Sequence, residues 1–326
     1  MIKIFPQFDE DLLIRLFHKG VKAQWTVSDV EWEQPLMMND AEARALAHML
    51  TPVYLGEQSA MIGASTVLPQ MAMAGETTSQ IYLSSFLMDE ARHFEVLTRL
   101  YKRLEEDPLN VRQMPAMLRY HNRLRKGDRI DWVWGILISD VFAKNFYQIF
   151  FKSQPDALFG SLSGRILRDE SRHQAFAEHY LKQAIPTLDP DRLRSLAKMK
   201  DDLMDTMDNM YDHLLEDAKR LDIDGRLFLD DLRAEIEYKA NRIGLTMPHS
   251  DDDNSPGLKR NSRAETHSDG DDSPGLKRVF QGVGDGFKAA AKDFSTKFEG
   301  LKASRCDTCF VALLCQTRLV RQARCV

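Results

Sequence analysis

The pentapeptide DEARH at residues 89–93 recurs 80 residues later as DESRH at residues 169–173. Each copy lies inside a long stretch with helical spacing of its apolar residues, and residues three apart share one face of an α-helix. In each copy the Glu therefore projects beside the His. A single Glu-x-x-His also occurs on exposed ion-pairing faces, but two copies with the same Asp, Glu, Arg and His are improbable by chance. The repeat predicts two helices that together bind metal ions.

The repeat supplies four predicted metal ligands, which are Glu90, His93, Glu170 and His173. A dimetal centre in a helical bundle needs one further acid from each of two other helices. Glu57 fits this role because it lies in an apolar run, where an unpaired carboxylate would be costly. Asp140 is the acid available between Trp132 and Phe151, and it is flanked by apolar residues. We therefore predict Glu57 and Asp140 as the remaining ligands.

The residues around each Glu-x-x-His have predicted supporting roles. A metal-bound imidazole usually donates its other N–H to a carboxylate. Asp89 and Asp169 are placed to accept that hydrogen bond across the bundle, each from the histidine of the opposite half. Arg92 and Arg172 either balance the excess carboxylate charge or lie solvated on the helix surface.

Residues 1–247 are predicted to be helical almost throughout, without a clear strand pattern. Five predicted helices have 24–34 residues, well beyond the average of about 11–12, and such lengths are typical of helical bundles. Asn39 or Asp40 is expected to cap the first long helix, and Gly75 to end it. Pro52 and Pro69 fall inside it. The predicted helices are 41–74, 77–106, 129–152, 157–185, 191–221 and 226–243.

At these residues the chain resembles the ribonucleotide-reductase-small-subunit-like branch of the ferritin-like superfamily, which includes ligand-binding oxidases and bacterial di-iron N-oxygenases. The resemblance covers residues 15–245 and rests on the six predicted ligands and on the segment QWTVSDVEW at residues 24–32. It implies an all-α, ferritin-like four-helix bundle with extra helices. It also implies a cofactor of two Fe ions, or of one Mn and one Fe, that activates dioxygen for hydroxylation, N-oxygenation or another two-electron oxidation.

Three departures from that branch bear on the reaction. Leu97 occupies the place, one turn beyond His93, where a reductase subunit carries its radical-storing tyrosine. No Tyr or Trp follows Tyr238 to carry a radical relay in the tail. Asp140 is shorter than the usual Glu. The first two departures favour an oxidase or oxygenase over a reductase subunit, and the shorter Asp140 would leave one metal more open or more weakly held. We predict a small apolar or amine-bearing substrate. The alternatives are a reductase-like protein and a non-catalytic or ferroxidase-type cargo protein recruited through its tail.

Aromatic side chains near the predicted ligands suggest a substrate pocket or a redox role, although core packing is the favoured interpretation for most of them. The candidate pocket phenylalanines are Phe86, Phe94, Phe142, Phe146 and Phe176. The candidate redox or hydrogen-bonding tyrosines are Tyr54, Tyr147 and Tyr180.

Composition limits the classes of partner. The net charge of −5 gives no basic surface for nucleic acid. Residues 1–10 lack the apolar core of a signal peptide, and no run of roughly 18–20 apolar residues is long enough to span a bilayer. We therefore expect a cytoplasmic protein, a homodimer, whose partners are dioxygen and a small-molecule substrate.

The sequence changes character after Pro248, so residues 1–247 are predicted as the dimetal bundle and 248–278 as a disordered linker. The linker contains HSDDDNSPGLKR at 249–260 and HSDGDDSPGLKR at 267–278, and it is too polar to fold alone. The repeat is either a duplicated linker or a recognition motif. Within 279–326, residues 279–303 carry an amphipathic stripe that could dock on a protein partner or a membrane surface.

All four cysteines lie in the last 21 residues, as Cys306, Cys309, Cys315 and Cys325. One Cys-x-x-Cys without a following histidine is weak evidence for zinc. Free thiols are the favoured interpretation, with a zinc or iron–sulfur site as the alternative.

Overall fold

The computed structural model describes residues 12–153 and 155–245. Within these ranges the chain forms eight α-helices and no strand, which confirms the predicted all-α fold. The predicted linker at 248–278 and the segment at 279–326 lie outside the described residues. The helices are α1 (Leu12–Lys22), α2 (Asp40–Ala74), α3 (Thr77–Leu104), α4 (Pro115–Leu124), α5 (Arg129–Ser153), α6 (Ala157–Ala184), α7 (Pro190–Arg220) and α8 (Gly225–Ile243).

Two helical hairpins, α2 with α3 and α5 with α6, form the four-helix bundle. Short connections hold each pair of helices side by side. Asn39 caps α2 by accepting hydrogen bonds from the backbone of Ala41 and Glu42. Gly75 ends α2 with a φ of 76°, a left-handed conformation that glycine adopts without steric cost. These predicted helix limits are confirmed.

The remaining helices enclose the bundle. α1 packs on α3 and α6, α7 lies against α2 and α4, and α8 lies against α5 and α6. The sequence did not separately predict α1 and α4, which are only 11 and 10 residues long. α2 continues through Pro52 and Pro69, although each proline removes one backbone hydrogen bond. In the described part of the chain, no helix combines the length and apolar character needed to cross a membrane.

A glycine on α2 determines how closely α5 approaches. A Cβ atom added at Gly63 would overlap the indole of Trp132. Trp132 packs edge-on against Phe86, with ring centroids 5.9 Å apart, and Phe86 lies 4.4 Å from the ring of His173. Gly63 therefore sets the position of the rings that support a predicted metal ligand.

Replacing Gly63 with Ala should destabilise the protein by about 1–3 kcal/mol, because an overpacked core must shift its neighbours. Gly56 is the matched control, since a Cβ there meets nothing within 4 Å. Gly56→Ala should be neutral or stabilise the fold by up to about 1 kcal/mol, because Ala favours a helix over Gly. Urea denaturation of both variants measures the difference. Equal effects at the two positions would contradict this account of the α2–α5 contact.

Candidate metal centre

The six predicted ligands lie together in the middle of the bundle. α2 contributes Glu57, α3 contributes Glu90 and His93, α5 contributes Asp140, and α6 contributes Glu170 and His173. All six side chains are at most 5% exposed. Two groups have ligand atoms within 4.8 Å of one another, and Glu170 belongs to both. The groups are Glu57 with Glu90, His93 and Glu170, and Asp140 with Glu170 and His173.

The Glu170 carboxylate spans the two groups. Its Oε1 lies 3.6 Å from Nδ1 of His93, and its Oε2 lies 3.5 Å from Nδ1 of His173. Glu90 also reaches both sides, because its Oε1 lies 3.1 Å from Nδ1 of His173 while its carboxylate belongs to the group of Glu57. Two shared carboxylates between two histidines form a donor set for a pair of ions rather than for one.

The unsatisfied atoms of the centre fit a pair of cations. His93 Nδ1, His173 Nδ1, Asp140 Oδ2 and Glu170 Oε2 are buried without a hydrogen-bond partner among the described residues. Such atoms are rare in folded proteins unless an ion or water binds them. If each imidazole donates through Nε2, its Nδ1 lone pair faces carboxylate oxygens, which is repulsive unless a cation lies between them. Oxygen and imidazole donors suit iron and manganese.

The predicted hydrogen bonds across the bundle are confirmed. Nε2 of His93 lies 3.2 Å from Oδ2 of Asp169, and Nε2 of His173 lies 3.4 Å from Oδ2 of Asp89. Each histidine is therefore held by the aspartate of the other half. This contact fixes which ring nitrogen faces the centre.

Arg92 and Arg172 are buried, with 8% and 4% exposure, which supports charge balance over the solvated alternative. Arg172 Nη2 lies 2.9 Å from Asp89 and 2.6 Å from Asp169. Arg92 Nη2 lies 3.0 Å from Asp169 and also bonds Asp89. Two aspartates and two arginines thus form a closed charged box beneath the histidines.

Trp25, in the segment between α1 and α2, covers one side of this box. Its Nε1 donates to Oδ2 of Asp169 at 2.8 Å, and the Arg92 guanidinium lies 4.8 Å from the ring centroid. Gln24 donates to Asp89 at 3.1 Å and accepts from Arg92. The sequence analysis noted residues 24–32 only as a similar segment and gave them no role. The only available sign of this role was that Gln24 and Trp25, two side chains with N–H donors, are adjacent in the sequence.

Burial and charge perturb the acid–base properties of the centre. Burial alone would lower the pKa of His93, but Glu57 and the hydrogen bond to Asp169 raise it well above its usual value. Burial raises the pKa of Glu90, and the Glu57 carboxylate raises it further. Burial and the Glu170 carboxylate likewise raise the pKa of Asp140. Protons and metal ions therefore compete for these side chains.

One of the three candidate tyrosines contacts a predicted ligand. Tyr147 is fully buried, and its hydroxyl donates to Oε1 of Glu57 at 3.1 Å. Burial and the nearby Glu57 charge raise the pKa of Tyr147 well above its usual value, so the hydroxyl keeps its proton. Tyr54 bonds Thr98, and Tyr180 bonds Glu76, so neither touches a predicted ligand.

Replacing Tyr147 with Phe should weaken metal binding about tenfold, because Glu57 loses the hydrogen bond that orients it. Stability should fall by about 1–2 kcal/mol. Tyr180→Phe is the matched control, since that hydroxyl bonds the part-exposed Glu76 at 2.9 Å. Metal dissociation, followed with a coloured chelator, compares the two variants. Identical rates in both would contradict an orienting role for Tyr147.

A cavity of about 300 Å³ reaches the centre from the side of α4 and α7. One wall contains the carboxylates of Glu57, Glu90, Asp140 and Glu170, and most of the rest is apolar. Of the five candidate pocket phenylalanines, Phe142 lines this cavity. Phe86, Phe146 and Phe176 are buried in the core, where Phe176 stacks on Tyr82, and the half-buried Phe94 stacks on Tyr54. The apolar wall is formed instead by residues such as Val67, Met117, Ile136 and Met210.

Comparisons with known proteins identify the fold. No protein-family profile matches the chain. A search of curated proteins likewise found no match. Solved structures do match. An R2-like ligand-binding oxidase mutant with an aerobically reconstituted Mn/Fe cofactor aligns with a TM-score of 0.63 and 19% identity, over 74% of this chain and 100% of that one.

Further structures of R2-like ligand-binding oxidases agree with this match. One with an aerobically reconstituted Mn/Fe cofactor after a long soak has a TM-score of 0.59 and 19% identity, over 72% of this chain and 94% of that one. Another, with its metal cofactor after photoconversion, has a TM-score of 0.61 and 18% identity, over 73% and 95%. The predicted ferritin-like fold is thus confirmed.

Proposed function

We propose that this ferritin-like bundle is a dioxygen-activating oxidase or oxygenase with a dimetal cofactor, either two Fe ions or one Mn and one Fe. The ligands are Glu57, Glu90, His93, Asp140, Glu170 and His173. The main support is the convergence of both unpartnered Nδ1 atoms on the Glu170 carboxylate that both ligand groups share. The structural neighbours, which carry Mn/Fe cofactors, support the same class of centre.

When bound, the metal pair would supply electrons to dioxygen and the oxidising power for substrate turnover. The chain's own residues bind and orient that pair. Asp89 and Asp169 hold the histidines by their Nε2 atoms, and Tyr147 fixes Glu57. The bulky side chains of Phe86 and Trp132 pack beside His173 and shield that ligand from solvent on their side.

The cavity favours substrate oxidation over metal storage. It connects the predicted ligands to a mostly apolar space of about 300 Å³, which is the lower end of the range for small-molecule sites. A small, mainly apolar organic substrate would therefore lie beside the metals. Leu97 occupies the position of the reductase radical tyrosine and has no phenol to hold a radical, which supports an oxidase rather than a reductase subunit.

The test combines metal analysis with dioxygen consumption. Protein produced with both iron and manganese should bind about two metal ions per chain, and the reduced protein should consume dioxygen. Glu90→Ala and His173→Ala variants should lose both properties. Fewer than one metal per chain in the unaltered protein, or full metal content in both variants, would overturn the proposal. Metal binding without dioxygen consumption would leave a binding protein, not an oxidase.

A further inference from the structure

The short helix α4 carries a histidine that lines the cavity beside the predicted metal ligands. His121 lines the same cavity as Glu57 and Asp140, between the apolar side chains of Met117 and Leu124 on α4. Met207 of α7 lies on the cavity wall as well. His121 is not among the predicted metal ligands, and the proposed chemistry gives it no part.

Both ring nitrogens of His121 are buried without a hydrogen-bond partner in the described part of the chain. The hydroxyl of its neighbour Tyr120, by contrast, has a partner on α5, since it lies 2.7 Å from Ser139. Leaving a buried donor and acceptor unpaired is unfavourable. An imidazole of this kind on a cavity wall is best explained by a ligand that bonds it.

The charge state of His121 narrows the class of ligand. Burial lowers the pKa of His121 to about 4, so the ring is neutral at physiological pH. A neutral imidazole offers one N–H donor and one nitrogen acceptor. A neutral ring gives a buried carboxylate or ammonium group no compensating charge, and burying such a group without one is costly. A hydroxyl, neutral amine or amide carries no charge to compensate and can bond either the N–H or the acceptor nitrogen of the ring.

We propose that His121 is a substrate-recognition residue that hydrogen-bonds an uncharged hydroxyl, amine or amide group on a compact, mostly apolar substrate. This inference rests on the proposed function, because it gives the cavity beside the metal centre its substrate class. The cavity volume of about 300 Å³ limits that substrate to a small molecule such as a substituted aromatic ring. The apolar walls bind the body of the molecule, while His121 selects its polar group.

The experiment uses three matched probes with the full-length, metal-loaded protein. 4-Propylphenol carries a hydroxyl, propylbenzene has no polar group, and 4-propylbenzoate is an anion. Calorimetry measures the dissociation constant of each. The phenol should bind about tenfold more tightly than propylbenzene, the size expected for one buried hydrogen-bonding group. The benzoate should bind more weakly than the phenol.

Variants of His121 test whether the ring causes this preference. His121→Phe keeps a ring but removes both nitrogens, and it should bind the phenol and propylbenzene equally. His121→Gln keeps a donor and an acceptor and should restore part of the preference. Met117→Leu, on the same wall, should keep the preference because it changes only apolar contact. A wild-type protein without the preference, an unchanged preference in His121→Phe, or tighter benzoate binding would overturn the inference.

Measuring the metal content distinguishes a failure of the His121 inference from a failure of the proposed dimetal function. His121→Phe should still bind about two metals per chain, because His121 belongs to neither ligand group. Loss of the phenol preference with normal metal content supports the recognition role. An intact preference with normal metal content rejects His121 and leaves the dimetal centre unaffected. A wild-type protein without metals would reject the centre itself, independently of the probe series.

Discussion

Replacing Glu170 with Ala should reduce the metal content from about two ions per chain to fewer than one, whereas Asp140→Ala should leave one. The reason is that Glu170 belongs to both ligand groups, while Asp140 belongs only to the group of His173. Without Asp140, the group of Glu57, Glu90, His93 and Glu170 remains complete. Elemental analysis of purified variants measures the difference directly.

Glu178→Gln is the control for a buried acid on the same helix. Glu178 lies two turns beyond Glu170, and it pairs with Lys239 and Arg242 instead of the centre. This variant should retain both metals. The metal-free Glu170→Ala protein should remain folded, because removing one of several crowded carboxylates relieves repulsion. Equal metal loss in the Glu170 and Asp140 variants would contradict a carboxylate shared by two ions.

The second large effect is expected at Asp169, one of the two aspartates of the charged box. It accepts hydrogen bonds from Trp25, Arg92 and Arg172, and it contacts His93. Burial alone would raise the pKa of Asp169, but the His93 contact and the Arg172 charge hold it well below its usual range. Asp169→Ala would leave two buried guanidinium groups sharing one aspartate.

We expect Asp169→Ala to lower the free energy of unfolding by about 3–5 kcal/mol, as when one partner of a buried ion pair is removed. Metal affinity should also fall about 10–100-fold, since His93 loses its orienting partner. Urea denaturation of the metal-free protein and chelator competition measure the two effects separately.

Asp131→Ala is the matched control. Asp131 is also a buried aspartate, but it pairs at 2.7 Å with Arg192, which is not part of the metal centre. It should lower stability without changing metal affinity. If both variants change affinity equally, the effect of Asp169 comes from general destabilisation and not from orienting His93.

Local patterns in the sequence were sufficient to predict the bundle and the assembly of its centre. Helix length, the Asn39 cap and the Gly75 stop depend on neighbouring residues, so they can be read from a short stretch of chain. The repeated Glu-x-x-His is equally local, because residues three apart must share a helix face. An acid in an apolar run, such as Glu57, indicates that a cation or hydrogen-bond donor must meet it in the fold, even though the sequence does not show which one. The juxtaposition of all six predicted residues followed from these patterns, and their ligand roles remain a prediction.

Only the tertiary structure decided which side chains meet across the bundle at atomic range. The sharing of Glu170 between the two groups, the Trp25–Asp169 bond and the approach of α5 to Gly63 depend on how the helices are packed. The pocket shows the same limit, because apolar periodicity gives Phe86 and Phe142 the same description. One packs behind His173 and the other lines the cavity. His121 is the clearest case, since its helix was not predicted. Only the packing of α4 places this histidine on the cavity wall with both ring nitrogens buried.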